Sequence, residues 1–243
     1  MSPPALRSAR RPGAFPPGDT VTSIFERALG SDFSRLHPRL QDRFAVTGGE
    51  HRGCVGTGVM DRIWHGRAYV KPFLHLGAAR HVLFPEIGTA VPFTIENYAY
   101  TDSYGRPTLT FVRTFEIAPA RRRRFDATMI WSNKRQVLVD YLGTHQHIAV
   151  DLHLSVDASG GLHIRSGCQR FRSGITCPRS LSGDARLHEW YDDATDRFRI
   201  EVNVENRLFG PIFGYSGSFT AQYFDHNAPV PAAVRPLREN PRE

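Results

Sequence analysis

From residue 54 onward the chain alternates apolar and polar positions with a period of two, and turn residues interrupt it at short intervals. Segments 54–64, 81–84, 91–101, 107–118, 125–131, 136–142, 147–156, 162–171, 184–191, 197–206 and 215–224 are rich in β-branched and aromatic residues and read as strands. The punctuation between them is turn chemistry: PEIG, DSYG, DASGG and DDATD. No helical period falls between successive strands, which argues against βαβ units and a parallel sheet. About ten antiparallel strands in one meander curl or close, because long open twisted sheets are rare. The fold expected is mainly β, a single antiparallel β-barrel or strongly curled sheet of about ten strands with two short N-terminal helices.

Those helices fall within residues 23–45. Ser23 followed by Glu26 forms a capping box, Ile24, Phe25, Ala28 and Leu29 share a side, and Gly30 ends the turn. Phe33, Leu36, Leu40 and Phe44 then recur at helical spacing, with Pro38 placed where a helix starts. KPFLHLGAA at 71–79 is a further helical turn. Both ends read as disordered tails, 1–20 for its prolines and arginines and 226–243 for its Pro, Ala and Arg content. A single β-rich domain then occupies 21–225.

Register exposes the polar residues that break the pattern. A three-residue loop with Gly105 in the left-handed position sets Phe93 opposite Phe115, Ile95 opposite Arg113, Asn97 opposite Phe111 and Ala99 opposite Leu109. A one-residue slip would face that apolar row with Thr108, Thr110 and Thr114, a worse core. The hairpin 184–206, with Tyr191 paired to Phe198, leaves Glu189 as the lone charge on an apolar face. Segment 136–142 is apolar on both sides except Asp140. Asn97, Arg113, Asp140 and Glu189 are therefore expected to point inward. Buried charges are costly unless paired. They form an internal ion pair, Arg113 with Glu189 or Asp140, or they line a cavity. The aromatics Trp64, Phe93, Phe111, Tyr141, Tyr191, Tyr215 and Phe219 favour a cavity, and one arginine among them suits a guest with an acidic group.

Composition narrows the picture only a little. The net charge is +7, but the excess collects in the two ends and in Arg121 to Arg124, with no basic stripe interleaved with aromatics; no nucleic-acid partner is expected. No apolar run reaches the roughly 18–20 residues of a spanning helix, so no membrane partner is expected either. Cys54, Cys168 and Cys177 lack C-x-x-C spacing, which excludes a disulfide framework and a cysteine zinc ribbon. Residues 1–20 lack the apolar stretch of a secretory signal, giving a cytoplasmic expectation.

Tests for chemistry yield little. GCVGTG at 53–58 opens a strand, not a helix, so it is no dinucleotide loop. GYSGS at 214–218 is no nucleophile elbow. His145, His147, Asp151 and His153 share parity on one strand, a geometry able to hold a metal. The solvated face of a half-buried strand, completed by His163, is the preferred reading, and no metal or cofactor is expected.

Phe33, Leu36-His37-Pro38, Gly58-x-Met60-Asp61-Arg62-Ile63-Trp64, the Val91–Ile95 strand and Gly214-Tyr215-x-Gly217-x-Phe219 follow in an order that resembles the domain-of-unknown-function family 4166, over about residues 24–224. Members occur alone or fused behind saccharopine-dehydrogenase-like domains; the resemblance implies a stand-alone all-β domain and carries over no catalytic residues. The function expected from the residues is binding of a small, partly apolar acidic ligand in a barrel cavity. Arg113 would pair with the acid, Asn97 and Tyr141 would hydrogen-bond, and Trp64, Phe111 and Tyr215 would form walls. One alternative is a cofactor-independent enzyme with Glu189 as acid or base and Arg113 as anion stabiliser. Another is a protein-interaction module using a sheet edge or the tails.

Overall fold

The computed structural model describes residues 22–48, 52–178, 180, 182–225 and 230–242. The N-terminal segment expected to be disordered lies outside them. Ten strands form one closed barrel: β1 (Arg52–His65), β2 (Gly88–Thr101), β3 (Pro107–Ala118), β4 (Arg121–Ser132), β5 (Val137–Leu142), β6 (Ile148–Val156), β7 (Leu162–Phe171), β8 (Asp184–Asp192), β9 (Arg197–Asn206) and β10 (Gly210–Asp225). Each strand pairs antiparallel with its sequence neighbour, and β1 closes the ring against β10. Closure pairs every strand of the ring on both sides, where a ten-stranded open sheet would leave two edge strands. Both register readings hold: Ile95 faces Arg113 and Asn97 faces Phe111, while Glu189 faces Ile200 and Tyr191 faces Phe198. Residues 81–84, expected to be a strand, form an irregular connection.

Helices α1 (Ile24–Leu29) and α2 (Pro38–Phe44) plug one mouth. Ser23 Oγ accepts from the Glu26 amide at 3.1 Å, and the Glu26 carboxylate accepts from the Ser23 amide at 2.6 Å, completing the capping box. Phe25 meets Phe44 at 4.5 Å and the interior Phe111 at 6.1 Å between ring centroids, so the helices insert their apolar face into the barrel core. At the other mouth α3 (Lys71–Ala78) and the segment after it bring in Phe84, fully buried against Phe115 and Phe213. Glycines 56 and 58 of the GCVGTG run serve packing: a Cβ at Gly56 would meet Ile95 Cγ2 at 2.6 Å and the Phe219 ring at 2.8 Å. Helices and aromatic side chains pack both mouths of the barrel around its interior polar groups. A hollow of about 370 Å³ lies at the rim, lined by Arg52, Tyr223, Phe224 and Asp225.

Of the C-terminal stretch 226–243, expected to be a disordered tail, residues 230–242 are described. Residues 230–242 run along the outside of the barrel. Val234 packs with Tyr98 and Val112, the Leu237 amide donates to Thr144 O at 3.0 Å, and Arg106 Nη2 donates to Asn240 O at 2.6 Å. Few apolar residues are needed because the segment's carbonyls and arginines bond to the barrel directly. This stretch covers Val112 and Tyr141 on the outer face, which is why segment 136–142 reads as apolar on both sides. No helix among the described residues is long and apolar enough to cross a membrane.

Candidate functional site

Among the described residues the interior carries four charged side chains, and they differ sharply in how they are satisfied. Glu189 does not pair with Arg113. Its partner is Arg43, on α2, whose Nε donates to Glu189 Oε1 at 2.6 Å while both side chains are at most 3% exposed. Arg43 Nη1 also donates to the Cys54 sulfur at 3.6 Å, and its guanidinium lies 4.9 Å from the Phe219 ring centroid. Burial alone would lower the Arg43 pKa, but the charge and hydrogen bond of Glu189, with Cys54 and Tyr223, together outweigh it and raise the pKa. Burial pushes the Cys54 thiol up, against the pull of Arg43. The sequence did carry a sign of this contact. Arg43 sits three residues after Leu40 and one before Phe44, hence on the apolar face of α2 and not the solvent face.

Arg113 is 4% exposed and lies between the rings of Phe111 and Phe125, at 5.5 and 5.0 Å from their centroids. Its Nε has no hydrogen-bond partner, and among the described residues no carboxylate comes within ion-pair distance of it. Asp140 is also buried and faces inward, as Leu138 does. Burial pushes its carboxyl up to about 7, although the Arg113 charge and a backbone hydrogen bond from Thr128 draw it down. Its Oδ1 is unpartnered. Tyr215 is fully buried with a hydroxyl that has no partner; burial raises its pKa, the Arg113 charge lowers it and the Glu189 charge raises it. Asn97 Nδ2 donates to Thr110 O at 3.2 Å, leaving its Oδ1 unpartnered. Arg113, Asp140, Tyr215 and Asn97 thus carry interior hydrogen-bonding atoms with no protein partner.

Two expected wall and hydrogen-bonding residues lie elsewhere. A bulge between Met60 and Arg62 shifts the parity of β1, so Met60 and Ile63 turn inward and Trp64 turns outward, over Gly214. The Arg62 guanidinium covers the Trp64 ring at 5.4 Å. Tyr141 also faces outward, in a cluster with Ile130, Val139 and Ala149, and its hydroxyl donates to the Arg242 carbonyl of the C-terminal segment. Phe111 and Tyr215 remain inside.

The histidine reading changes as well. His145 and His147 precede β6 in a turn, so strand parity does not align them. Asp151 is occupied by Arg170, at 2.9 and 2.8 Å to its two oxygens, and by Arg135. These residues do not form a donor set. Asp157, His163 and His188 do converge, with all three ligand atoms within 4.8 Å of one another.

The fold and this interior define a closed, helix-plugged up-and-down β-barrel domain with an incompletely neutralised polar core. The chain belongs to the family described as domain of unknown function (DUF4166), whose model matches residues 36–219, from the start of α2's approach to Phe219 in β10. It is 32% identical over 202 residues to "Uncharacterized protein YndH" of Bacillus subtilis (strain 168), covering 82% of this chain and 97% of that protein. No solved structure matches it significantly.

Proposed function

We propose that the barrel binds a small, partly apolar acid, with the acid group at Arg113. One observation carries this reading: a buried guanidinium without an ion-pair partner, beside a carboxyl whose pKa of about 7 leaves it only partly ionised at neutral pH. Water can satisfy the open hydrogen-bonding atoms, but water brings no compensating charge. An anionic group would supply both, accepting from Arg113 and Tyr215 while the Phe111 and Phe125 rings flank an apolar portion. Asp140, when protonated, would donate to it.

The catalytic alternative moves from Glu189 to Asp140. Glu189 is engaged by Arg43, whereas Asp140 has the pKa near neutrality that a general acid or base needs.

The test follows the Arg113 Nε–H resonance by ¹⁵N NMR while octanoate, or neutral octanol, is added. The expected result is a saturable shift with octanoate, at least about tenfold weaker binding of octanol, and loss of the octanoate preference in Arg113→Met. Equal binding of acid and alcohol, or an unchanged preference in the variant, would overturn the proposal.

A further inference from the structure

At the rim of the plugged mouth, on the outer face, three side chains from two elements and a turn meet. Asp157 lies in the β6–β7 turn, His163 on β7 and His188 directly opposite it on β8. The Asp157 carboxylate is fixed through one oxygen: Oδ1 accepts from the Ser159 amide at 2.8 Å, the Ser159 hydroxyl at 2.7 Å and the Gly161 amide at 2.9 Å. The other oxygen, Oδ2, is thereby aimed at both imidazoles, 3.0 Å from His163 Nε2 and 3.1 Å from His188 Nε2. The two rings stack at 4.0 Å with 5° between their planes, and Trp190 backs the His188 ring at 4.5 Å. Their Nε2 atoms consequently project to the same side. Gly161 leaves room for this meeting: a Cβ there would stand 2.6 Å from Asp157 Oδ2 and 2.7 Å from His188 Nε2.

From this geometry we infer a divalent transition-metal site, of the zinc class, built from Asp157 Oδ2, His163 Nε2 and His188 Nε2. Two imidazole nitrogens and one carboxylate oxygen are a donor set that zinc accepts, and it leaves a fourth position for water. Ligands about 2.0–2.2 Å from a tetrahedral zinc stand roughly 3.3–3.5 Å apart, so widening each N–O contact by a few tenths of an ångström admits the ion. Coordination at Nε2 moves each imidazole proton to Nδ1, and no net proton need leave. The three hydrogen bonds on Oδ1 supply the outer support that orients a ligating carboxylate. All three side chains are partly open to solvent, so an ion can reach them without unplugging the barrel. The site is separate from the Arg113 interior and does not depend on that reading.

Untagged, chelator-stripped full-length protein is titrated with zinc chloride by calorimetry, with His163→Ala, His188→Ala and, as a control on the other histidine pair, His145→Ala. Thermal unfolding of each apo-protein confirms that the variants fold. The expected result is one zinc per chain at micromolar or tighter affinity, roughly a hundredfold loss in His163→Ala and His188→Ala, and no change in His145→Ala. Zinc should also raise the wild-type melting temperature but not that of His163→Ala. No stoichiometric binding by the wild type, or binding that survives both His163→Ala and His188→Ala, would overturn the site. Loss in His145→Ala would overturn it too.

Discussion

The two interior arginines, Arg43 and Arg113, sit in one barrel and have opposite circumstances. Arg43 comes from the plug, meets Glu189 at 2.6 Å and is flanked by Phe219. Arg113 comes from the barrel wall, stacks between two rings and meets no carboxylate among the described residues. The first arrangement is complete in itself. It joins α2 to β8 across 146 residues of sequence and makes the plug part of the folded unit. The second is incomplete: Asp140, on which the Arg113 charge acts, is held back from ionising by its burial. A barrel that closes one charge and leaves the other open has a latch at one position and, on the proposed function, a receptor at the other.

The largest effect expected from breaking this comparison is at the latch. Glu189→Ala leaves Arg43 buried and unpaired and should cost on the order of 3–5 kcal/mol in urea unfolding. The double substitution Arg43→Met, Glu189→Leu should recover most of that loss, because an apolar pair of similar volume needs no counter-charge. If Arg113→Met destabilises as much as Glu189→Ala, the two arginines are alike and the contrast fails. Arg113→Met is expected to be close to neutral in stability.

Asp140 comes next. Its carboxyl rises from 3.8 to about 7 on folding, so the folded state binds the proton more tightly than the unfolded chain. Its contribution is therefore fully present below pH 4 and lost as pH rises through about 7. Asp140→Asn should flatten the stability profile across that window, with a gain on the order of 2–4 kcal/mol over wild type at pH 8 and little difference at pH 4. Urea unfolding at both pH values measures it. Ligand binding inherits the same sign. An anion at Arg113 raises the Asp140 pKa further, so octanoate should bind more tightly at pH 6 than at pH 8.

The smallest effect lies outside the barrel. Tyr141→Phe removes the hydrogen bond to the Arg242 carbonyl and should cost about 1 kcal/mol, with octanoate binding unchanged. A loss of octanoate binding in this variant would return Tyr141 to the interior.

Most of the barrel was legible because it is written locally. Period-two alternation and the left-handed Gly105 turn set the registers of β2–β3, and the Tyr191–Phe198 pairing set those of β8–β9. What escaped was written non-locally. One extra residue between Met60 and Arg62 reversed the facing of Trp64, and no residue type marks such a bulge. Segment 136–142, apolar on both sides except Asp140, gives no parity by which to orient Tyr141. The C-terminal segment that covers this face has too few apolar residues for composition alone to reveal a packed layer. Glu189 was correctly turned inward, but its partner stood on a helix far away in sequence. Asp157 escaped for a related reason: a turn aspartate reads as turn chemistry until its second oxygen is seen facing two strands.

Whether Arg113 lacks a fixed counter-charge is read most directly from the ¹³C resonance of the Asp140 carboxyl, identified by its absence in Asp140→Asn. A titration midpoint near 7 is the expected result, leaving Arg113 without a committed partner at neutral pH. A midpoint below about 4 would show Asp140 ionised beside Arg113, a second closed ion pair with no opening for an acid.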